Sequence, residues 1–355
     1  MNERTERAAG VVVRAVGRLP DPVLRVLAGR PHVVDGQRLY PEVQVALRLR
    51  RVVRAGEEED VARARARVAR EARLLGDRPQ VGRVEDVTVP GTRGPVRARL
   101  YQGDPDVPPD GVVVYFHGGG WVLGDLETAD PICRAIARHT KLLVLSVDYG
   151  LAPEHPFPEG LTDCVDAFRW ARGAELWRPG VRLPVAVAGD SSGANLAAVV
   201  SNLTRDDDGG GPAFQLLMYP ATDLTRAYPS EKLFDGYALA AARLGWYRLR
   251  YIPDATLMAD PRVSPLLTDD LSGVAPAHVA VAGFDVLRDE GLRYAERLRE
   301  SGVPVSVQVV TGHVHAWANA TAASRHSIEA LAEAVRPLVA ALRRAADVRG
   351  VGDDA

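Results

Sequence analysis

A GDSSG string at residues 189–193 contains the residue types of a serine nucleophile. Glycines lie two residues before and two residues after Ser191, and the string directly follows the apolar run at 185–188. A G-x-S-x-G spacing between a strand and a helix is typical of a tight, strained turn that exposes the serine hydroxyl. We therefore predict that Ser191 is the nucleophile, because Ser192 lacks glycines at both of these spacings.

A second string, HGGGW at residues 117–121, follows another apolar run at 112–116. Consecutive glycines allow backbone N–H groups to face an oxygen that gains negative charge during acyl transfer. His117 begins the string, and we expect it to position the loop through hydrogen bonds rather than to take part in catalysis. In this order and context, the two strings predict an acyl-transfer hydrolase.

Acyl transfer by serine also needs a base for the hydroxyl proton and a carboxylate that orients the base. Asp285 follows the apolar run at 278–282, and open α/β sheets build their sites at the carboxyl ends of strands. Asp289 and Glu290 are alternatives, but both fall at the start of a predicted helix, where acidic side chains stabilise the N-terminus. Asp285 is therefore the preferred carboxylate.

Two histidines compete for the role of the base. His313 and His315 both follow the predicted strand 303–310. In an extended chain they lie on the same side, because they are two residues apart. The residues alone therefore leave both histidines open.

The pattern around these motifs predicts an α/β fold. Two runs joined by Pro and Gly residues, 84–89 and 96–101, indicate an antiparallel pair of strands. The apolar runs that follow alternate with helical patterns, which predicts a mostly parallel sheet, eight-stranded in all, with helices on both faces. The later strands are expected at 112–116, 142–147, 185–188, 214–219, 278–282 and 303–310, and the helices at 130–140, 161–172, 192–204 and 288–301.

Two stretches differ from this alternation and predict a cap over the site. Residues 1–75 carry six more arginines than acidic residues and are expected to be helical. Within them, residues 61–74 alternate alanine with arginine, which indicates a solvated helix, because an alanine face is too weakly apolar to anchor on lipid. Residues 222–265 form a long proline-containing insertion, typical of a second part of a cap. The core is then expected at 76–345, with a disordered tail at 346–355.

Composition excludes several classes of protein. The chain has 355 residues and a formal net charge of −2, which gives no reason to expect nucleic acid as a partner. The N-terminal sequence does not match a secretory signal, and no stretch reaches the roughly eighteen apolar residues of a membrane-spanning helix. Cys133 and Cys164 form no CxxC pair, so we expect buried, reduced thiols, no metal site and a cytoplasmic location. We also expect no stable membrane insertion.

Further strings make the chain resemble the hormone-sensitive-lipase-like (bacterial family IV) carboxylesterases of the α/β-hydrolase superfamily. They are LAPEHPFP at 151–158, MYP at 218–220, DPRVSPL at 260–266 and FDVLRDEG at 284–291, besides the two strings already described. The resemblance implies the α/β-hydrolase fold with a helical cap. It also implies a serine esterase that acts on short- to medium-chain acyl esters without a cofactor, and a homodimer paired through the last strand.

The resemblance also assigns roles by position. It implies a catalytic triad of Ser191 as nucleophile, Asp285 as orienting carboxylate and His315 as base. It gives the oxyanion donors as the backbone N–H groups of three residues, Gly118, Gly119 and Ser192.

The chain departs from the family pattern at three places. Ser192 stands where alanine is usual, and we expect little effect because the donor there is the main chain. Val286 replaces a usual proline and is expected to loosen the loop slightly. Ala316 and Trp317 replace a usual Gly-Phe pair, so we expect altered backbone geometry at Ala316 and a narrower acyl pocket beside Trp317.

Two other functions are open at this point. The same machinery hydrolyses amides or lactones, since such enzymes differ from esterases in the pocket rather than in the triad. A ligand-binding protein on this scaffold would usually lack the nucleophile or the base, whereas all three triad candidates are present here.

Overall fold

The computed structural model describes residues 3–52 and 60–350, which form ten strands and eleven α-helices. The strands are β1 (Val33–Val34), β2 (Gln37–Arg38), β3 (Arg83–Val89), β4 (Val96–Gln102), β5 (Gly111–Phe116), β6 (Leu142–Val147), β7 (Val185–Asp190), β8 (Gln215–Met218), β9 (Ala277–Phe284) and β10 (Val305–Val314). The helices are α1 (Glu3–Gly17), α2 (Asp21–Ala28), α3 (Pro41–Val52), α4 (Val61–Leu75), α5 (Leu126–His139), α6 (Glu159–Gly173), α7 (Ser192–Thr204), α8 (Pro229–Leu233), α9 (Ala241–Tyr251), α10 (Arg288–Glu300) and α11 (Arg325–Gly350).

The large sheet has eight strands in the order β10-β9-β8-β7-β5-β6-β4-β3. β4 pairs antiparallel with β3 and with β6, whereas the other described pairings in this sheet are parallel. The central strands β5, β6 and β7 are continuous buried runs, because both faces of a parallel sheet are covered. The predicted mostly parallel, eight-stranded α/β fold is therefore confirmed.

Helices cover both faces of this sheet. On one face, α5 and α11 contribute Ile136 and Leu338 to a single buried cluster. On the other face, α6, α7 and α10 contribute Phe168, Leu196 and Leu298 to a larger one. These two apolar layers hold β7, β9 and β10 in place, and the predicted catalytic residues follow the carboxyl ends of those three strands.

Two boundaries differ from the sequence-based expectation. β10 continues to Val314 rather than ending at residue 310, so His313 belongs to the strand. α11 continues to Gly350, so residues 346–350 are helical rather than part of a tail, because the alanine- and arginine-containing sequence there favours a helix. The rest of the expected tail, residues 351–355, lies outside the described residues.

The N-terminal segment folds as α1 to α4 together with a two-stranded ribbon, β1 and β2, which the sequence did not predict. Asp35 in the turn of this ribbon forms an ion pair with Arg288 of α10 at 2.9 Å. Asp21 of α2 forms a second ion pair, with Arg325 of α11. Charged side chains thus connect this segment to helices of the core; its residues 1–2 and 53–59 lie outside the described residues.

Cys133 and Cys164 are buried in α5 and α6, as predicted, and are not joined to each other. In the described part of the chain, no helix combines the length and the apolar character that crossing a bilayer requires.

Candidate active site

Ser191 lies in the turn between β7 and α7, directly after the last residue of the strand. Its φ of 56° and ψ of −120° are strained for a residue that is not glycine. A Cβ on Gly189 would overlap the backbone of Gly193, and a Cβ on Gly193 would overlap the carbonyl group of Phe116. The close approach of these backbone segments explains why the motif needs both glycines.

Asp285 and His315 are likewise the first residues after β9 and β10. His315 Nε2 lies 3.0 Å from Ser191 Oγ, and His315 Nδ1 lies 2.7 Å from Asp285 Oδ2. Because a carboxylate only accepts hydrogen bonds, Nδ1 carries the proton and Nε2 is left to accept one from the serine. Asp285 is 1% exposed, and its Oδ1 accepts a hydrogen bond from the Leu287 N–H at 3.0 Å. The structure therefore brings the three predicted triad residues into one hydrogen-bonded chain.

His313 has different partners from His315, although the two are only two residues apart. The pairing of β10 with β9 shifts register near the end of β10, and the strand ends before His315. His313 is 1% exposed, and its Nε2 lies 3.1 Å from the hydroxyl oxygens of Ser324 and of Ser327. Burial lowers the pKa of His313 to about 3, so this imidazole is neutral. Of the two histidines, only His315 lies within hydrogen-bond distance of Ser191.

The loop after His315 turns sharply. Ala316 has a φ of 63° and a ψ of 28°, the left-handed conformation that favours glycine. Trp317 is fully buried, and its ring meets that of Tyr219 edge-on, with 5.6 Å between centroids. The expectation that Trp317 narrows the acyl pocket is therefore wrong, because its ring packs among the core side chains of the α5 and α11 layer.

The two rival carboxylates bind the start of the 222–265 insertion instead of a histidine. Asp289 Oδ2 accepts from the Ser230 N–H at 2.9 Å, and the Ser230 hydroxyl donates to the carbonyl oxygen of Val286 at 2.9 Å. Glu290 Oε1 accepts from the Thr222 N–H at 2.7 Å. Burial raises the pKa of Glu290 to about 8. Ser230 thus holds the loop at Val286, where the sequence suggested loosening.

One of the three predicted oxyanion donors is already engaged. The Gly118 N–H donates to Asp190 Oδ1 at 2.8 Å, so the prediction for Gly118 is wrong. The N–H groups of Gly119, Gly120 and Ser192 have no hydrogen-bond partner among the described residues. Gly119 and Gly120 have φ values of 131° and 62°, which only glycine adopts at low cost. Gly120 therefore takes the place of Gly118 as a candidate donor.

Asp190 is a residue of the candidate site that the sequence analysis did not select. Its Oδ1 also accepts from the Tyr115 hydroxyl at 2.6 Å, and its Oδ2 accepts from Asn319 Nδ2 at 2.9 Å. This buried carboxylate therefore joins the nucleophile turn, the glycine loop and the loop that follows His315. A charged residue between Gly189 and Ser191 was the available signal, whereas nothing in the sequence marked Asn319.

His117 lies in the position that its predicted structural role requires. Its ring stacks on Tyr149, with 4.5 Å between centroids, and its Nδ1 lies 2.9 Å from the carbonyl oxygen of Gly118. The Tyr149 hydroxyl donates to the His117 carbonyl oxygen at 2.6 Å. These contacts hold the start of the glycine loop.

The insertion contacts the glycine loop through aromatic rings of α9. A Cβ on Gly120 would overlap the ring of Tyr247, so this ring lies directly against the loop. The rings of Trp121 and Tyr251 stack with 4.5 Å between centroids and 3° between planes. The aromatic side chains of α9 therefore lie beside the candidate oxyanion site.

The N-terminal segment contacts the same region through Arg65 of α4. Its Nε donates to the carbonyl oxygen of Val122 at 2.9 Å, and one terminal nitrogen donates to that of Ala152 at 3.1 Å. The guanidinium also pairs with Glu154 at 2.7 Å. The predicted solvated helix at 61–74 therefore also contacts the core through one of its arginines. An alternation of alanine and arginine does not show which arginine makes such a contact.

A family model described as the alpha/beta hydrolase fold matches residues 113–319. The chain is 40% identical to the carboxylic ester hydrolase LipN of Mycobacterium tuberculosis over 334 residues, which cover 89% of this chain and 88% of that protein. It is also 36% identical to an ethyl acetate hydrolase of Pseudomonas putida over 227 residues, which cover 61% of this chain and 70% of that protein.

Solved structures show the same similarity. The chain is similar to a hyperthermophilic esterase from Pyrobaculum calidifontis, with a TM-score of 0.78 and 35% identity over 86% of this chain and 97% of that one. It is also similar to an ester hydrolase from the metagenome of Lake Arreo, solved with a bipyridine phosphonate derivative. That match has a TM-score of 0.80 and 38% identity over 85% of this chain and 98% of the other.

Proposed function

The chain belongs to the hormone-sensitive-lipase-like branch of the α/β-hydrolase family and is a carboxylic ester hydrolase, and on this basis we propose that it cleaves short- to medium-chain acyl esters through a serine acyl-enzyme. One observation carries the proposal. Ser191 Oγ, His315 and Asp285 form a continuous hydrogen-bonded chain, with distances of 3.0 and 2.7 Å. This arrangement matches the requirements of a nucleophile, a base and an orienting carboxylate.

In the proposed reaction, Ser191 Oγ attacks the ester carbonyl carbon while His315 Nε2 accepts the hydroxyl proton. The carboxylate of Asp285 stabilises the resulting imidazolium. Collapse of the tetrahedral intermediate breaks the bond to the alcohol, which leaves with the proton from His315. Water then repeats the sequence on the acyl-enzyme and regenerates the serine.

The negative charge of each tetrahedral intermediate needs preorganised donors. We assign this role to the N–H groups of Gly119, Gly120 and Ser192. The assignment is supported by the absence of another hydrogen-bond partner for these groups among the described residues. Gly118 instead serves the structure of the loop, because its N–H is bound to Asp190.

We further propose that residues 1–75 and 222–265 together form the cap over a core at 76–345. The contacts of Arg65 with Val122 and of Tyr247 with Gly120 support this division, since both reach the region of the glycine loop. The ring of Tyr247 occupies space beside the oxyanion donors, which favours short acyl groups over long ones.

The central test is hydrolysis of p-nitrophenyl butyrate by the wild type and by Ser191→Ala, with Ser192→Ala as the matched control. Ser191→Ala is expected to lose hydrolysis and covalent labelling by a fluorophosphonate while it keeps the wild-type melting temperature. Ser192→Ala retains the backbone donor and the activity. Near-native turnover by Ser191→Ala would overturn the assignment, and an unlabelled, inactive wild type would indicate a binding protein instead. A matched amide and a lactone, assayed in parallel, separate esterase activity from the two related ones.

We also propose a homodimer that pairs through β10. This strand is at one edge of the large sheet, and Val309 on it is 41% exposed, which leaves an edge open for pairing. Sedimentation velocity at low micromolar concentration is expected to show a dimer, and Val309→Lys is expected to shift it to monomer. A wild type that stays monomeric would contradict the proposal.

For location, we propose the cytoplasm, where the two buried thiols stay reduced. Fractionation of cells that express the untagged chain, followed by an esterase assay of each fraction, tests this. Activity recovered mainly outside the soluble cell contents would contradict it.

A further inference from the structure

Tyr40, the residue just before α3, contacts both ends of the loop that carries His315. The Tyr40 N–H donates to the carbonyl oxygen of Gly312 at 2.9 Å, just before the loop. The Tyr40 ring stacks on His326 of α11, just after the loop, with 3.8 Å between centroids and 4° between planes. The same ring meets His313 edge-on at 5.5 Å. One residue of the N-terminal segment therefore lies between the two flanks of the catalytic loop.

Glu42 lies in the first turn of α3 and is 3% exposed. Its Oε1 accepts hydrogen bonds from Ser324 Oγ at 2.7 Å and from His326 Nδ1 at 2.5 Å. Burial opposes ionisation of this carboxyl group, but the hydrogen bonds from His326 and Ser324 outweigh it and lower the pKa of Glu42. A buried carboxylate is thus held against two residues of the C-terminal flank.

The direction of these hydrogen bonds follows from the carboxylate. Because Glu42 only accepts, the Ser324 hydroxyl must donate to it, and the Ser324 oxygen is then free to accept from His313 Nε2–H at 3.1 Å. His313 is neutral, since burial lowers its pKa to about 3. Glu42 therefore leaves Ser324 as an acceptor toward His313, and this chain of hydrogen bonds ends two residues before His315.

We propose that Glu42 and Tyr40 are positioning residues, through which the N-terminal segment orients the catalytic base. They contact residues 312 and 313 before the loop and residues 324 and 326 after it, and so fix both ends of the segment that presents His315 to Ser191. This inference rests on the proposed esterase function.

Two further observations support the inference. A Cβ on Gly312 would lie 2.7 Å from the Tyr40 ring, so this ring packs directly against the backbone of the first flank. Ala316, inside the loop, has a left-handed φ of 63°, which residues other than glycine keep only when their surroundings hold them. Contacts at both flanks supply such a restraint.

The test compares Glu42→Leu with Glu42→Gln. Leucine removes the acceptor oxygens, whereas glutamine keeps one acceptor oxygen for Ser324 and His326. The glutamine amide nitrogen takes the place of Glu42 Oε2, which has no hydrogen-bond partner among the described residues, so its introduction breaks no hydrogen bond. Glu329→Leu is the matched control, because Glu329 is an exposed acid on the helix that also carries His326. We measure kcat and KM with p-nitrophenyl butyrate and the rate of fluorophosphonate labelling, all well below each melting temperature.

Glu42→Leu is expected to lower kcat and the labelling rate by about 10- to 100-fold, because a displacement of the base by about 1 Å costs on this order. KM is expected to stay within about twofold, since no substrate contact is removed. Glu42→Gln is expected to recover kcat to within about threefold of the wild type, and Glu329→Leu to equal it. Recovery by glutamine separates positioning from a general loss of packing.

A folded Glu42→Leu variant with wild-type kcat would overturn the inference, as would a change confined to KM. If this variant does not fold, Ser324→Ala breaks the next link while leaving Glu42 beside His326, and a wild-type kcat there would overturn the inference equally. Failure of the esterase proposal is separate, because it would appear as a wild type without hydrolysis or labelling.

Discussion

The edge of the sheet that carries the proposed triad and the two segments proposed to cover it, the covering segments, are held in place in different ways. At the edge, Ser191, Asp285 and His315 each follow the last residue of a strand, so the hydrogen bonding of the sheet sets where they meet. In the covering segments, single side chains such as Arg65 and Tyr247 make the contacts. We infer that mutations at the edge change kcat, whereas most mutations in the covering segments change substrate preference. Glu42 and Tyr40 are the exceptions, because they lie in a covering segment but contact the flanks of the loop that carries His315.

The most severe test of this comparison is at the histidines. His315→Ala is expected to lower kcat on p-nitrophenyl butyrate by about 10⁴-fold, because no group remains to accept the serine proton. His313→Ala keeps the base and is expected to lower kcat by about 10- to 100-fold through misplacement of the loop. Steady-state kinetics on both variants check the ranking. A larger loss for His313→Ala would move the catalytic base to residue 313.

Asp190→Asn tests whether the edge acts as one unit. The carboxylate accepts from Gly118 and Tyr115 on Oδ1 and from Asn319 on Oδ2. Asparagine keeps one acceptor oxygen, but its amide nitrogen then faces the Asn319 amide nitrogen, and the repulsion between these two donors displaces the side chain from the glycine loop. The glycine loop then shifts relative to Ser191, and kcat is expected to fall by about 10²-fold, with KM nearly unchanged. Comparison of kcat and KM across a pH series checks this. A change in KM alone would show that Asp190 supports substrate binding rather than the oxyanion site.

Tyr247→Ala tests the covering segments. Removal of the ring beside Gly120 opens space near the oxyanion donors, so the ratio of octanoyl to butyryl ester hydrolysis is expected to rise about tenfold. The kcat for the butyryl ester is expected to change less than about fivefold. Leu249→Ala is the control, because this residue of α9 is 78% exposed. An unchanged ratio would show that the Tyr247 ring of α9 does not determine the preferred length of the acyl chain.

The last test concerns stability rather than rate. Glu290 anchors the insertion through the Thr222 N–H, and burial raises its pKa to about 8. The carboxyl group of Glu290 therefore keeps its proton up to about pH 8 in the folded protein but loses it near pH 4 in the unfolded chain. Its contribution to the free energy of unfolding is complete below about pH 4 and is lost as the pH rises to about 8. Glu290→Gln lacks this titration. The melting temperature of Glu290→Gln minus that of the wild type is therefore expected to increase between pH 5 and pH 8.5. A difference that stays constant over this range would show that Glu290 does not titrate with a raised pKa.

The sequence predicted which three residues meet at this edge of the sheet, because strand ends and tight turns leave local signals. The glycines around Ser191 and the apolar runs before Asp285 and His315 reflect backbone geometry that any sequence in this fold must satisfy. The choice of His315 over His313 needed the family resemblance. Alternation in an extended strand places both on one side, and the register shift that separates them has no signature in the residues.

The contacts of the covering segments and of the glycine loop could not be predicted from the sequence, because side chains that are distant in the chain form them. A glycine run shows that N–H groups are accessible, but it does not show that Asp190 binds the first of them. Similarly, Arg65 looks like its neighbours in an alanine-arginine helix, and only the folded chain brings it to Val122. The position of Trp317 two residues after the base suggested that its ring lies in the acyl pocket. In the structure, the chain turns at Ala316 in a left-handed conformation and the Trp317 ring is fully buried in the core.

The contact between Gly120 and Tyr247 has a consequence for altering this enzyme. A single added methyl group at position 120 would both push the ring aside and disturb a main-chain donor, so selection for new substrates would be confounded with lost turnover. Libraries that leave residues 118–120 untouched and vary the opposing aromatic positions of α9 would separate the two properties.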